Sequence, residues 1–211
     1  MKAIKTVCLL MLCATMALAK NSKDFSKKFK QAQDLFVDSN YTDALPLYLD
    51  LYKMDSSNAN INYKLGYCYA HANQGRPKAV KYLERAVTAT SGNYKEGSED
   101  ERNAPLDAYF RLGEAYHFIG KFDAAIQNYE KYKLAAKDRK NAGDEALMAQ
   151  VDRKIQISKN AKTIVSRPIK IKIQNMGKNV NSAYGDYAPI VTADQSTLIF
   201  TSRRPETTGG D

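Results

Sequence analysis

The chain has 211 residues, 44% hydrophobic and 26% charged, with 32 Lys and Arg against 23 Asp and Glu for a net charge of +9. That balance fits a globular protein with a buried core and excludes a disordered chain. Its excess Lys, interleaved with acids, reads as a solvated helix exterior rather than a nucleic-acid surface.

Residues 1–19 carry Lys2 and Lys5, an apolar run from Val7 to Leu18, and the triplet Ala17-Leu18-Ala19. A basic start, a short apolar core and an A-x-A site form the pattern of a secretory signal peptide, too short to span a bilayer. Cleavage is expected after Ala19. Loss of Lys2 and Lys5 would lower the charge from +9 to +7, and loss of Cys8 and Cys13 would leave Cys68 alone. The rival reading keeps Cys13 as a lipidated anchor, but Leu10-Met11-Leu12 lacks the small residue usual before such a cysteine. The chain is therefore expected to be exported, with membrane attachment under the rival reading. An exported chain without a disulfide framework depends on its core, and Cys68 reads as a small buried packing residue.

Apolar periodicity predicts helices over 24–36 and 41–53, closed by the turn-forming run Asp55-Ser56-Ser57-Asn58. Pro46 falls near the start of the second, where a missing N–H is tolerated. Further helices are expected over 60–72 and 77–88, joined through Asn73-Gln74-Gly75-Arg76-Pro77, and over 106–118 and 122–138. Between these pairs, Ser91 to Pro105 is a polar loop without hydrophobic period, of a length uncommon unless functional or mobile. Asn141-Ala142-Gly143 is a break. A helix over 144–164 follows, with Asp144 at its cap and Ala146, Leu147, Val151, Ile155 and Ile157 at mostly helical spacing. Arg167-Pro168 stops it.

Beyond Pro168 the period changes from 3.6 to 2. Ile169, Ile171 and Ile173 alternate with Lys170, Lys172 and Gln174, which predicts a half-exposed strand. A turn-rich stretch over 177–185 leads to a strand over 186–191, a tight turn at Thr192 to Ser196 and a strand over 197–204.

The helical pairs repeat. Tyr109-x2-Leu112-Gly113-x2-Tyr116 with Ala125-x3-Tyr129 resembles the tetratricopeptide pattern, Tyr109 taking the usual Trp place and Tyr129 the usual Phe place. Leu65-Gly66-x2-Tyr69 with Ala79, Leu83 and Ala86, and Ala32 and Leu35 with Ala44 and Tyr48, give two more units. Ala32 and Gly66 stand 34 residues apart, the period of that repeat, while Gly66 and Gly113 stand 47 apart, leaving about 13 extra residues in between. Gly113 and Ala125 are expected where two antiparallel helices cross closely. The last helix reads as the cap such a stack needs. The fold class expected is mainly α: a tetratricopeptide helical-hairpin solenoid over 24–164 with a capping helix, then a short β segment over 165–211 that begins a propeller.

That last expectation rests on a resemblance. Asp186-Tyr187-Ala188-Pro189 and Phe200-Thr201-Ser202-Arg203-Arg204 resemble a blade of WD40-like propellers of the TolB type, with Gln195 where Gly is commoner in the turn. With Asn181-Ser182-Ala183-Tyr184-Gly185 and the repeats, the chain resembles a family of exported proteins of diderm bacteria. Its members join tetratricopeptide repeats, a WD40-like propeller and an OmpA-like peptidoglycan-binding domain, and some belong to type IX secretion and gliding machinery. The resemblance implies a chain continuing past Asp211, and peptidoglycan binding cannot be carried to any residue present.

No enzyme is expected. His71 and His117, the two histidines, lack a companion Cys or carboxylate at metal-ligand spacing and a nucleophile motif. The acidic run Glu99-Asp100-Glu101 reads as solvated loop charge, and no cofactor is implied. Steps of three and four along the first helices instead trace one face: Phe29, Gln33 and Phe36, then Asn60, Tyr63, Tyr67 and His71, then Asp107, Phe110, Glu114 and His117. This face is expected to be a groove for an extended peptide or partner helix, aromatics as anchors, unless those rings pack against neighbouring repeats. Clamps for chaperone C-termini carry a Lys/Asn constellation there, which Phe29 and Gln33 do not supply. The expected function is a non-catalytic periplasmic scaffold binding envelope protein partners. The alternative is an envelope ligand-binding protein whose propeller binds and whose repeats are a spacer.

Overall fold

A computed structural model describes residues 23–72, 75–137, 144–178 and 180–205. The expected signal peptide with Cys8 and Cys13, the residues Asn73 and Gln74, and the break at Asn141-Ala142-Gly143 lie outside the described residues.

Among the described residues, seven helices follow in order: α1 (23–37), α2 (Tyr41–Met54), α3 (Ala59–His71), α4 (Arg76–Ala86), α5 (Asp107–Phe118), α6 (Phe122–Ala136) and α7 (Asp144–Val165). Short polar residues set the starts of α2 and α3. Asn40 accepts from the Asp43 N–H to cap α2, and Asn58 accepts from the Ile61 N–H to cap α3, satisfying donors the helix itself leaves free. Pro46 lies inside α2 rather than near its start. Six residues in, it removes the bond that a backbone N–H would give the Thr42 carbonyl, so this helix keeps its length against a local cost.

The helices bury three contiguous cores. Phe29, Ala32, Tyr48, Leu51, Leu65 and Cys68 fill the first, between α1, α2 and α3. Tyr63, Ala79, Leu83, Ala108 and Leu112 fill the second, between α3, α4 and α5. Phe110, Ala125, Tyr129 and Tyr132 meet Val151 and Ile155 of α7 in the third, so α7 covers what would otherwise be an open apolar end. The small residues sit where the helices approach. A Cβ on Gly113 would lie 2.5 Å from Cε1 of Tyr129, and one on Gly66 would lie 2.7 Å from Cδ2 of Leu83. Cys68 is fully buried and free, and burial pushes its thiol up to about 12.

The insertion between the second and third pairs is pinned at both ends. β1 (Thr90–Ser91) and β2 (Ala104–Pro105) pair in parallel, Thr90 opposite Ala104 and Ser91 opposite Pro105. Among the described residues, no helix is long and apolar enough to cross a membrane.

A second compact unit begins at Pro168. The expected strand at Ile169, Ile171 and Ile173 is not formed, and all three side chains are exposed. Alternation alone makes no strand without a neighbour to take its hydrogen bonds. The strand pattern further on does form: β3 (Asp186–Val191) and β4 (Leu198–Ser202) pair antiparallel, with Ile190 opposite Ile199 and a register shift between Tyr187 and Ile190. Gln195 in the turn takes φ 59°, which is why Gly is favoured there. Asp194 steadies that turn by accepting from Thr192 Oγ1, Ser196 Oγ and the Ser196 N–H, which holds its carboxyl down to about 2. Among the described residues of this unit, one hairpin is formed.

Candidate protein-binding groove

The faces of α1, α3 and α5 meet along a line of rings. Phe36 stands 5.1 Å from Tyr67 between ring centroids, Tyr67 stacks on His71 at 4.4 Å, and Tyr41 lies 5.3 Å from Tyr67. The Arg111 guanidinium caps the row from α5, 4.9 Å from the Tyr67 ring. Arg111 is itself held by Asp107 at 2.9 Å and Glu114 at 3.1 Å. Tyr63 donates to Asp107, and burial pushes its hydroxyl well above the ordinary range.

The face traced from sequence divides on this geometry. Phe36, Tyr67, Glu114 and His117 are half-buried along it, and His71 is exposed. Phe29, Tyr63 and Phe110 are buried in the repeat cores, so these three rings pack rather than present themselves. Gln33 and Asn60 are also buried, for a different reason: the inserted loop lies over them. Gln33 accepts from the Tyr48 hydroxyl and donates to Glu96 Oε1 at 3.3 Å. Asn60 accepts from the Tyr94 hydroxyl at 2.7 Å and donates to the Glu101 carbonyl at 3.2 Å. Its backbone N–H donates to the Arg102 carbonyl, and Arg102 pairs with Asp55 at 2.6 Å.

Lys64 lies at the centre of this half, with 1% of its side chain exposed. Its Nζ meets Glu96 Oε1 at 2.5 Å and sits 3.9 Å above the Phe36 ring. Burial lowers its pKa, against the Glu96 hydrogen bond that raises it. Lys64 lies on the i,i+4 step from Asn60, beside the traced Tyr63, and was not among the residues expected on this face. A Lys/Asn pair does therefore stand on this face, supplied by α3 rather than α1.

The other half is open. A cavity of about 420 Å³ between α3, the start of α4, α5, α6 and α7 is lined by His71, Arg76, Glu114, His117, Phe118 and Lys154, among others. Arg76 stands 5.0 Å over the Phe118 ring, which is 52% exposed. Lys154 pairs with Glu114 at 2.7 Å. His117 Nδ1 lies 2.9 Å from Ser158 Oγ, a distance at which a nucleophile and base meet. Ser158, however, is fully buried and gives its proton to the Lys154 carbonyl, so His117 is the donor of the pair. Among the described residues, no group of three or more His, Cys, Asp or Glu is placed to hold a metal ion.

The family model of the tetratricopeptide repeat matches residues 29–94. No curated protein matches the chain. Among solved structures, the type III secretion translocator chaperone SycD of Yersinia enterocolitica is similar at a TM-score of 0.52 and 15% identity, covering 68% of this chain and 88% of that one. The same chaperone in complex with a peptide of the translocator YopD is similar at 0.50 and 14% identity, covering 65% of this chain and 93% of that one. Repeat match, helix pairing and fold likeness agree: the helical part of this chain is a solenoid of the tetratricopeptide type.

Proposed function

We propose that the chain is a non-catalytic adaptor that holds a segment of a protein partner in the open half of the groove. The observation that carries this reading is the cavity between α3 and α7, where exposed Phe118 beneath Arg76 offers an aromatic and cationic anchor beside His71 and His117. Aromatic and Arg side chains in a concave site are the residues that dominate protein recognition. The likeness to a chaperone crystallised with a peptide of its translocator supports the same reading.

The place of action proposed is the periplasm, in an envelope assembly such as type IX secretion or gliding machinery, with outer-membrane association as a further element. Its support is the basic start, the apolar run and the A-x-A site of residues 1–19, together with the resemblance carried by residues 181–189 and 200–204. In this reading, β3 and β4 begin a WD40-like propeller.

The test is comparative capture from envelope extracts of the cells that make the protein. The parent chain should retain a partner that Arg76→Ala with Phe118→Ala loses, with helical content unchanged. Identical retention by both overturns the open half as the docking site.

A further inference from the structure

The loop over the first half of the groove is arranged as a bound ligand is, not as a piece of core. Most of its residues between 92 and 103 are exposed, yet two side chains two positions apart dip inward, Tyr94 to Asn60 and Glu96 to Lys64 and Gln33. Glu96 reaches a lysine of 1% exposure while its own side chain remains 61% exposed. A buried ammonium needs a counter-charge, and here that charge comes from the loop, 32 positions along the chain, rather than from α1 or α3. The backbone then turns back out. Ser98 N–H donates to the Lys95 carbonyl, and Gly97 takes φ +74°, the left-handed position such a turn requires. Glu101 closes the excursion by accepting from the backbone N–H groups of Lys95 and Asn103. β1 and β2 pin both ends of the excursion.

We propose that Lys64, Gln33 and Asn60 form a receptor site for an acidic partner segment with an aromatic residue two positions before its carboxylate, and that Tyr94-Lys95-Glu96 fills this site as an internal competitor. The proposal rests on the adaptor reading above and gives it a partner chemistry. A protein segment of this kind enters by placing its carboxylate on Lys64 and its ring beside Asn60, and the loop swings out.

The experiment uses the full chain, a Tyr94→Ala with Glu96→Ala variant that empties the site, and a synthetic peptide of residues 91–103 as probe. In the variant, loop amides should exchange about tenfold faster or more, while those of α3 and α5 keep the parent rates. The peptide should bind the variant and not the parent, and a peptide carrying Glu96→Gln should bind about tenfold weaker or worse. Adding Lys64→Met to the variant keeps an apolar stem and removes the buried charge, so this chain remains foldable and should lose the peptide. Loop protection equal to the parent's, no peptide binding by a folded variant, or binding indifferent to Glu96 or Lys64 overturns the proposal. Since the probe is the chain's own loop, these results stand apart from failure of partner capture at Arg76 and Phe118.

Discussion

Between α1 and α3 the groove is filled: Lys64, Gln33 and Asn60 are all bonded to the loop of residues 92–103. Between α3 and α7 the same face stays open, with Arg76, Phe118 and His117 around a cavity. Both halves rest on the same construction, a glycine in the first helix of a pair against a large side chain in the second. The contrast therefore does not come from the repeat. It comes from about 13 inserted residues, and it shows that a connection can decide the chemistry of a surface whose shape the helices set.

The widest effect should come from breaking what the halves share. Gly66→Leu and Gly113→Leu each drive a side chain into Leu83 or Tyr129, and each should cost roughly 1–3 kcal/mol or more. A melting temperature unchanged in one of them would show that the halves do not share this crossing. Cys68 is the local reporter, since a buried thiol pushed up to about 12 reacts at pH 8 only after opening. Faster labelling in Gly66→Leu than in Gly113→Leu would show that the first half opens by itself.

Asn60→Ala should act on the closed half alone. It strands the Tyr94 hydroxyl and the Glu101 carbonyl, a cost of about 1–3 kcal/mol, and should speed exchange in residues 92–103 but not in α7. Equal exchange changes in both regions would erase the distinction between the halves.

How much of this was legible in the sequence follows from the kind of contact involved. Gly66, Gly113, Ala79 and Ala125 announced the repeat because close helix crossing admits only small side chains, a local demand that leaves a local mark. Phe29, Tyr63 and Phe110 were placed on the groove face by counting, but a ring at the border of two repeats turns inward when a neighbour offers apolar surface, and counting carries no neighbour. The pairing of Lys64 with Glu96 was invisible for the same reason: it spans 32 residues and depends on where the loop lands. Ile169, Ile171 and Ile173 show the converse, a clean alternation with no strand formed.

Acid should distinguish the halves more gently. The backbone N–H of Asn103, followed by that of Lys95, holds the Glu101 carboxyl below its usual 4.5. A depressed carboxyl contributes stability above its unfolded value and loses it as pH falls through the folded one. The loop should thus loosen on acidification below about 4.5, followed by the fluorescence of Tyr94 against a Tyr94→Phe control. No change on acidification would remove Glu101 as the clasp. The smallest effect is expected from Lys154→Met, whose pair with Glu114 is about one third exposed and should contribute below about 1 kcal/mol. A larger loss in thermal unfolding would mean that the open half is held together electrostatically.

The two-residue pairing of Thr90–Ser91 with Ala104–Pro105 has a consequence for how such a protein diversifies. It makes the stretch between them an exchangeable cassette. Substitutions or changes of length inside it meet a fixed frame at both ends, so they can rewrite what fills the groove while the phase of the helical stack stays untouched. The side chains presented over the groove can in this way change by editing a dozen residues, none of which belongs to a helix.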